Sequence, residues 1–216
     1  MEIWLAFSSF EEMEKAHEYP IKGVLTNPTV ISALEMNWKE AVTRMNEIGD
    51  LPLGLQVVST KRNEMIEEIK TFNRIVDKKR LIIKLPFCPS TLQVASFVKQ
   101  LGLEVNIAAI CSFTQAVVAL ETDIEYLSIY VGRVSDGGGD GMQLIHQVKD
   151  YVHGCHKNTM ILAASIRTAQ QLEEVALAGA DAAVITFDVL EEAIKSRLTD
   201  ESIEKFTVDW ANTTRF

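Results

Sequence analysis

One lysine interrupts an otherwise apolar segment of the chain. Lys84 lies within Leu81–Phe87, where its neighbours are leucine, isoleucine, proline and phenylalanine. Burial of an unpaired ammonium group lowers its pKa, because the charged form loses its hydration. An amine that is partly neutral near physiological pH can attack a carbonyl carbon and form a Schiff base. Lys84 is therefore a candidate nucleophile, and the alternative is a lysine that reaches solvent or pairs with a carboxylate.

Polar side chains also end or interrupt two other apolar runs. Thr26 and Asn27 follow Gly23–Leu25 and offer a hydroxyl and an amide. Gln56 lies between Leu55 and Val57, and a buried glutamine needs hydrogen-bond partners. Gln56 could orient a water or a substrate hydroxyl, or bond a neighbouring strand. The Asn27-Pro28 pair also fits an ordinary turn, so these residues alone leave both interpretations open.

Two later runs are followed by groups suited to an anion. Tyr130 and Arg133 precede a glycine-rich stretch at 135–141, and Ser165 and Arg167 follow the next apolar run. Arginine, serine and exposed backbone N–H groups are typical phosphate ligands. The glycine spacing fits neither the P-loop nor the dinucleotide-binding motif, and a surface salt bridge is the alternative for each arginine.

These residues come together if the chain is an α/β protein of the (β/α)₈ TIM-barrel class. Short apolar runs alternate with segments of helical period, which predicts a parallel sheet with right-handed crossovers. Eight such units favour a closed barrel, whose active sites form at the C-terminal ends of the strands. The predicted strands are Glu2–Phe7, Gly23–Thr26, Pro52–Val58, Arg80–Leu85, Glu104–Ile110, Tyr126–Val131, Thr159–Ala164 and Ala182–Thr186.

The helical segments complete a single barrel domain over residues 1–216. Its last part, 200–216, is predicted as an extra C-terminal helix and tail, whose apolar stripe could dock on its own barrel or on a neighbour's. The predicted helices are Ser9–His17, Asn37–Ile48, Thr60–Val76, Ser90–Leu101, Ser112–Leu120, Gly141–Val152, Thr168–Ala178, Val189–Ser196 and Asp200–Thr213.

Composition narrows the possible partners and the compartment. The 216 residues carry a formal net charge of −9, which argues against nucleic-acid and membrane partners, since both favour a basic face. No run approaches the ~20 apolar residues of a membrane span, and the N-terminus lacks the basic region of a signal peptide, so the expected location is cytoplasmic. Cys88, Cys111 and Cys155 have no metal-ligand spacing, which predicts reduced thiols and no metal site.

Together the motifs resemble the transaldolase family, most closely its short subgroup of fructose-6-phosphate aldolases and transaldolase-like proteins. The resemblance rests on Gly23–Pro28, Ile83–Pro86, Tyr130–Arg133 and Leu162–Thr168, in this order, and spans nearly the whole chain. It implies a class I, Schiff-base aldolase that joins or separates a dihydroxyacetone-type ketone and an aldehyde phosphate. The alternatives are a true transaldolase that transfers a dihydroxyacetone unit, and a catalytically impaired sugar-phosphate-binding homologue.

The same resemblance implies the setting of the reaction. The substrate would be a small-molecule sugar phosphate or ketose of carbohydrate metabolism, in the region of the pentose phosphate reactions. No metal or organic cofactor would be required. The protein would be a cytoplasmic homo-oligomer, a pentamer or decamer, with its C-terminal helix packed on a neighbour.

The resemblance also implies catalytic roles. Lys84 matches the Schiff-base lysine, Tyr130 the proton-transferring tyrosine, and Gln56 the residue that helps to hold the catalytic water. Because many true transaldolases have phenylalanine and glutamate at the last two positions, Tyr130 and Gln56 favour aldol chemistry over transaldol exchange.

The implied binding roles fall into two groups. Asn27 matches a residue that hydrogen-bonds hydroxyls of the bound donor, and Thr26 and Ser128 are predicted to bind substrate beside it. The residues that match the phosphate-binding group are Arg133, Ser165 and Arg167.

Two positions depart from the family pattern. Ala6 stands where the family has an aspartate at the end of the first strand, and Ala108 stands where it has a threonine that positions the catalytic water. Loss of a carboxylate removes a group that could act in general acid–base catalysis. The hydroxyls of Ser8, Ser9 and Ser128 could compensate for these losses.

Overall fold

A closed ring of eight parallel strands, in chain order, forms the centre of the protein in a computed structural model that describes residues 1–213. The first strand pairs with both the second and the last, so no sheet edge is left open. This confirms the predicted (β/α)₈ barrel. The strands are β1 (Glu2–Leu5), β2 (Ile21–Leu25), β3 (Leu53–Gln56), β4 (Leu81–Pro86), β5 (Glu104–Ile110), β6 (Tyr126–Tyr130), β7 (Met160–Ala164) and β8 (Ala182–Ile185).

Helices connect successive strands and surround the barrel. A 3₁₀ turn at Ala16–Glu18 follows the first α-helix. The α-helices are α1 (Phe10–Lys15), α2 (Pro28–Ala33), α3 (Trp38–Glu47), α4 (Arg62–Ile75), α5 (Pro89–Gln100), α6 (Phe113–Leu120), α7 (Val131–Asp136), α8 (Gly141–Gly154), α9 (Ala169–Leu177), α10 (Phe187–Ile194) and α11 (Arg197–Ala211). Among residues 1–213, no helix combines the length and apolarity that a membrane crossing needs.

Two short helices, α2 and α7, occupy segments where the sequence pattern predicts no helix. The local signals are nevertheless present for α2, since Asn27 accepts a hydrogen bond from the N–H of Val30 at 3.0 Å and Pro28 begins the helix. Proline suits the first helical position because its missing N–H has no intrahelical partner there. Both helices follow strand ends directly, so they lie beside the predicted site.

The C-terminal helix begins earlier than predicted. Ser196 accepts a hydrogen bond from the N–H of Thr199, so the helix starts at Arg197 rather than Asp200. Residues 214–216 of the predicted tail lie outside the described part of the chain. Every residue of α11 is exposed, in contrast to the helices around the barrel.

Side chains fill both sides of the barrel wall. The larger apolar cluster lies between strands and helices, and a smaller one fills the barrel interior, since successive residues of a strand point to opposite faces. The interior cluster is formed by Trp4, Leu25, Ile82, Leu162, Ala164, Ala182 and Val184. Ile82 precedes Lys84 by two residues on the same strand, so Lys84 points into the barrel one layer closer to its C-terminal end.

Candidate active site

The amine of Lys84 is buried inside the barrel and has no anionic partner. The side chain of Lys84 is 5% exposed, and its Nζ donates a hydrogen bond of 3.1 Å to the backbone carbonyl of Thr26. None of the carboxylates in residues 1–213 forms an ion pair with it. Burial lowers the pKa of Lys84 to about 8, because the ammonium form is desolvated. Neither snorkelling nor carboxylate pairing therefore describes this lysine.

A cavity of about 220 Å³ opens above this amine, at the C-terminal end of the strands. Five of the nine candidates from the sequence line it, namely Asn27, Lys84, Tyr130, Arg133 and Ser165. They come from four different strand ends, which the closed barrel brings to one place. The remaining walls combine small and apolar side chains with the hydroxyl of Thr186.

Tyr130 presents a protonated hydroxyl near the lysine. It ends β6, and the centroid of its ring lies 6.0 Å from Nζ of Lys84. Burial raises the pKa of Tyr130, and the positive charge of Arg133 opposes that rise. The phenol can therefore donate a proton, or relay one between a water and the reacting atoms.

A glycine brings two of the predicted phosphate ligands together. Gly132, in α7, approaches Ser165 so closely that a Cβ on it would lie 2.3 Å from the Ser165 carbonyl oxygen. Ser165 itself has φ of +65°, a conformation that costs energy in a residue other than glycine. The approach holds Arg133 and Ser165 in one cavity wall. The sequence analysis assigns Gly132 no role of its own. A glycine directly after a strand is nevertheless a signal of such a close approach.

The two arginines that the sequence grouped together occupy different environments. Arg133 lines the cavity and has no ion pair within the described part of the chain. Arg167 instead contacts both carboxylate oxygens of Asp136, at 2.9 and 2.6 Å, and does not line the cavity. While Arg167 is paired with Asp136, only Arg133 of the two arginines is available, together with Ser165, to an anion bound above Lys84.

The strand neighbours of Lys84 carry two buried polar atoms without partners. Gln56 on β3 and Asn106 on β5 are both in register with Lys84. Oε1 of Gln56 and Nδ2 of Asn106 have no hydrogen-bond partner among the described residues. Such atoms are rare in native proteins and mark places where a ligand or water binds.

The sequence analysis identified Gln56 as a candidate but not Asn106. Gln56 was a candidate, and the structure places it in the wall of a second, larger cavity of about 540 Å³ beside Trp38 and Phe72, rather than in the cavity above Lys84. Asn106 was missed as a functional residue. The signal that singled out Gln56, a polar residue inside an apolar strand, was equally present for Asn106.

Comparison with known proteins identifies a family for the chain. The sequence pattern of the family described as "Transaldolase/Fructose-6-phosphate aldolase" matches residues 3–215. The chain belongs to this family. Its relatives include a "Probable transaldolase" of Aquifex aeolicus, 35% identical over 211 residues that make up 97% of this chain and 96% of the relative. A "Probable transaldolase" of Caldicellulosiruptor saccharolyticus is 35% identical over 212 residues, 97% of each chain.

Another relative, a "Probable transaldolase" of Clostridium botulinum strain Loch Maree, is 34% identical over 97% of this chain and 96% of its own. Family membership confirms the resemblance and identifies the chain as an enzyme of the transaldolase and aldolase type.

Thr26 and Ser128, two of the predicted substrate ligands, form hydrogen bonds within the protein instead. The hydroxyl of Thr26 donates to the backbone carbonyl of Gly54 at 3.1 Å, so only its own carbonyl contacts Lys84. Ser128 donates to Oδ1 of Asn106 at 2.9 Å, and neither hydroxyl lines the cavity. Ser128 thereby orients the Asn106 amide, leaving its Nδ2 as the free donor.

The two alanines at which the resemblance implies an aspartate and a threonine lie at different depths. Ala6 lines the cavity, and Ala108 is completely buried on β5. No carboxylate lines the cavity as the structure describes it. No group of three or more histidine, cysteine or acidic side chains in residues 1–213 is arranged to hold a metal ion.

Proposed function

We propose that this chain is a Schiff-base aldolase of the fructose-6-phosphate aldolase type, with Lys84 as its nucleophile. The observation that carries the proposal is the buried, carboxylate-free amine with a pKa of about 8 below a cavity of small-molecule size. At that pKa about a tenth of the amine is neutral near pH 7, against less than a thousandth for an ordinary lysine. The proposed substrates are a dihydroxyacetone-type ketone and an aldehyde phosphate.

The proposed reaction uses this amine as an electron sink. Nζ of Lys84 adds to the ketone carbonyl, and loss of water gives a protonated imine. In the cleavage direction the hydroxyl on the β-carbon loses its proton, the electron pair of the bond between the α- and β-carbons moves toward the iminium, the aldehyde leaves, and an enamine remains on Lys84. The proton taken from the hydroxyl is then returned to the enamine carbon, and water hydrolyses the imine to release the ketone.

Tyr130 is the proposed proton-transferring group. The support is its raised pKa and its ring centroid 6.0 Å from Nζ of Lys84. Gln56 lines the second cavity, but it is in register with Lys84 and its Oε1 is a buried acceptor with no partner in the described chain. It is therefore the proposed anchor of the water through which the proton moves. The unpaired Nδ2 of Asn106 is a further proposed donor to the substrate oxygen beside the iminium carbon.

Arg133 and Ser165 are the proposed ligands of the aldehyde's phosphate. They lie in one cavity wall, and the arginine has no competing ion pair among the residues described. Arg167 joins them in this proposal only after leaving Asp136, and exposed ion pairs of this kind contribute little to stability. Binding the phosphate fixes the aldehyde carbon relative to the enamine.

Reductive trapping tests the proposal. Incubation with dihydroxyacetone and borohydride is expected to add one reduced ketone to the protein mass. Lys84→Met should abolish the adduct, whereas Lys205→Met, which removes an exposed lysine of α11, should leave it intact. Adduct formation that persists in Lys84→Met would overturn the assignment of the nucleophile.

A true transaldolase is the second candidate, and the names of the relatives favour it. The two activities differ in the fate of the three-carbon unit. An aldolase releases free dihydroxyacetone from fructose 6-phosphate, whereas a transaldolase holds the three-carbon unit on its lysine and passes it to an aldehyde acceptor. Measuring free dihydroxyacetone, together with the seven-carbon ketose phosphate that forms when erythrose 4-phosphate is added, separates them.

A sugar-phosphate-binding protein without turnover is the third candidate, favoured by the alanines at positions 6 and 108. It predicts protection from thermal unfolding by fructose 6-phosphate together with no adduct on Lys84. An adduct on Lys84 would exclude it.

We also propose that the functional form is a homo-oligomer, a pentamer or decamer. The support is the exposure of large apolar side chains on α11, with Ile203, Phe206 and Trp210 exposed by 56%, 66% and 67%. Their spacing of three and four residues puts them on one stripe of the helix. An exposed stripe of this size on an otherwise unpacked helix is typical of an interface.

A further inference from the structure

Ala6 contributes only a methyl group to the cavity wall, at the position where the resemblance implies an aspartate. The backbone N–H of Ala6 donates to the carbonyl of Ile185 at 2.8 Å, and β1 and β8 run in register up to Leu5 and Ile185. Thr186 is therefore the neighbour of Ala6 across the strand pair, and it lines the same cavity.

The hydroxyl of Thr186 is free, although its position usually binds the backbone. Thr186 precedes α10 with extended φ and ψ of −82° and 167°, yet its side chain makes no capping hydrogen bond. By contrast, Ser112, Thr168 and Ser196 each accept a hydrogen bond from the N–H three residues on. No other group in residues 1–213 hydrogen-bonds this hydroxyl, so it remains available to a ligand in the cavity.

The other hydroxyls that could replace the missing carboxylate are already bonded. Ser8 donates to Oε1 of Glu12 at 2.8 Å, and Ser9 caps α1 by accepting from the Glu12 N–H. Neither serine lines the cavity. Ser128 is buried against Asn106, as described above.

We propose that Thr186 binds a hydroxyl group of the ketone donor, in the part of the cavity where the family has its aspartate. This inference rests on the proposed function and deepens it, because it names a residue that determines donor specificity. A threonine hydroxyl can donate to or accept from an alcohol without adding a charge. It thus restores a hydrogen bond at this wall and leaves the amine of Lys84 without an anionic neighbour.

The free groups of the cavity suit a ketone with a hydroxyl on both sides of the carbonyl. Oδ1 of Asn27 is occupied by the N–H of Val30, so the amide of Asn27 offers its N–H₂ group to one hydroxyl. Thr186 offers a hydrogen bond to the second. Dihydroxyacetone has both hydroxyls, and hydroxyacetone has only one, so the pair of ketones isolates the contribution of Thr186.

The test measures the ketone concentration that gives half-maximal borohydride-trapped adduct on Lys84, which requires no acceptor. Thr186→Val removes the hydroxyl and keeps the shape of the side chain. For dihydroxyacetone we expect this concentration to rise about fivefold, the size of one neutral hydrogen bond, and for hydroxyacetone less than twofold. Thr186→Ser should restore the preference, and Thr207→Val, an exposed threonine of α11 outside the cavity, should have no effect.

The outcomes separate this inference from the function on which it rests. No effect of Thr186→Val on either ketone, with an adduct still formed on Lys84, overturns the role of Thr186 alone. An equal rise for both ketones supports the contact and assigns it to the hydroxyl that the two ketones share. If the unaltered protein forms no adduct with either ketone, the proposed function fails and the inference fails with it. Circular dichroism of Thr186→Val and the Thr186→Ser rescue distinguish a lost contact from a misfolded variant.

Discussion

At the scale of single residues, one row of the barrel concentrates the energetic cost of the site. Lys84 has a buried amine, and its register neighbours Gln56 and Asn106 each bury a polar atom without a partner. A buried polar atom without a partner costs about 1–3 kcal/mol, a cost that a bound water or substrate relieves. Groups that destabilise a fold persist where they serve binding or catalysis. We therefore expect that substitutions in this row can raise the free energy of unfolding more than substitutions elsewhere.

Replacing the lysine should therefore stabilise the protein. The pKa of Lys84 is lowered from 10.5 to about 8, so between these values the unfolded chain binds the proton and the folded chain does not. The destabilisation is complete below about pH 8 and fades as the pH rises toward 10.5. We expect Lys84→Met to raise the free energy of unfolding by about 2–3 kcal/mol near pH 7, and by less near pH 10.

Urea denaturation of the variant at both pH values measures this effect, with Lys205→Met as the exposed control. A variant that is less stable than the parent near pH 7 would contradict the account of a desolvated, unpaired amine.

The sequence could identify site residues only where their type is unusual for their surroundings. Lys84 and Gln56 were identifiable because charge or polarity inside an apolar run has few structural explanations. The roles of Thr26 and Ser128 were not predictable, because their bonding partners Gly54 and Asn106 are distant in sequence and depend on strand register.

At the scale of elements, the short helix α7 determines the shape of the anion-binding wall. It begins directly after β6 and contacts the end of β7 through Gly132. Periodicity could not reveal α7 or α2, since six residues make fewer than two turns and no apolar stripe repeats. The ion pair of Arg167 with Asp136 was equally hidden, because it joins the loop after β7 to the end of α7, 31 residues away in sequence.

A methyl group at Gly132 should disturb this wall. Its Cβ would lie 2.3 Å from the Ser165 carbonyl oxygen, so α7 or the β7 loop must move. We expect Gly132→Ala to lower the free energy of unfolding by about 1–3 kcal/mol, the usual cost of overpacking. We also expect kcat/KM to fall more for a phosphorylated aldehyde than for its unphosphorylated analogue, since Arg133 and Ser165 separate.

Gly154→Ala is the matched control, because a Cβ there meets no atom within 4 Å. Equal stability and unchanged discrimination between the two aldehydes in Gly132→Ala would contradict the proposed role of this close approach.

At the scale of the whole molecule, the alternation of strands and helices made the fold predictable. Eight apolar runs separated by helical segments admit few topologies, and the closed ring follows from their number. The surroundings of α11 were not predictable in the same way. Its sequence shows an apolar stripe, but the sequence alone does not say whether the stripe meets its own barrel or another chain. In the single chain the stripe is exposed.

Charges on that stripe should dissociate the proposed oligomer. We expect the parent protein to sediment as a pentamer or decamer and the double variant Phe206→Glu, Trp210→Glu to sediment as a smaller species. Burying two unpaired carboxylates in an apolar contact is too costly for the interface to persist. Lys205→Glu lies outside the stripe and should leave the assembly intact. Sedimentation of the parent protein as a monomer would contradict the proposal.

The most direct test of the account is the pH dependence of adduct formation at Lys84. Protein is incubated with dihydroxyacetone and borohydride at a series of pH values, and the modified lysine is identified by peptide mass mapping. The account predicts modification at Lys84 alone, with an initial rate that rises about fivefold between pH 7 and 8 and levels off above pH 9, as a pKa of about 8 requires. Modification spread over exposed lysines, or a rate that still rises tenfold per pH unit above pH 9, would contradict it.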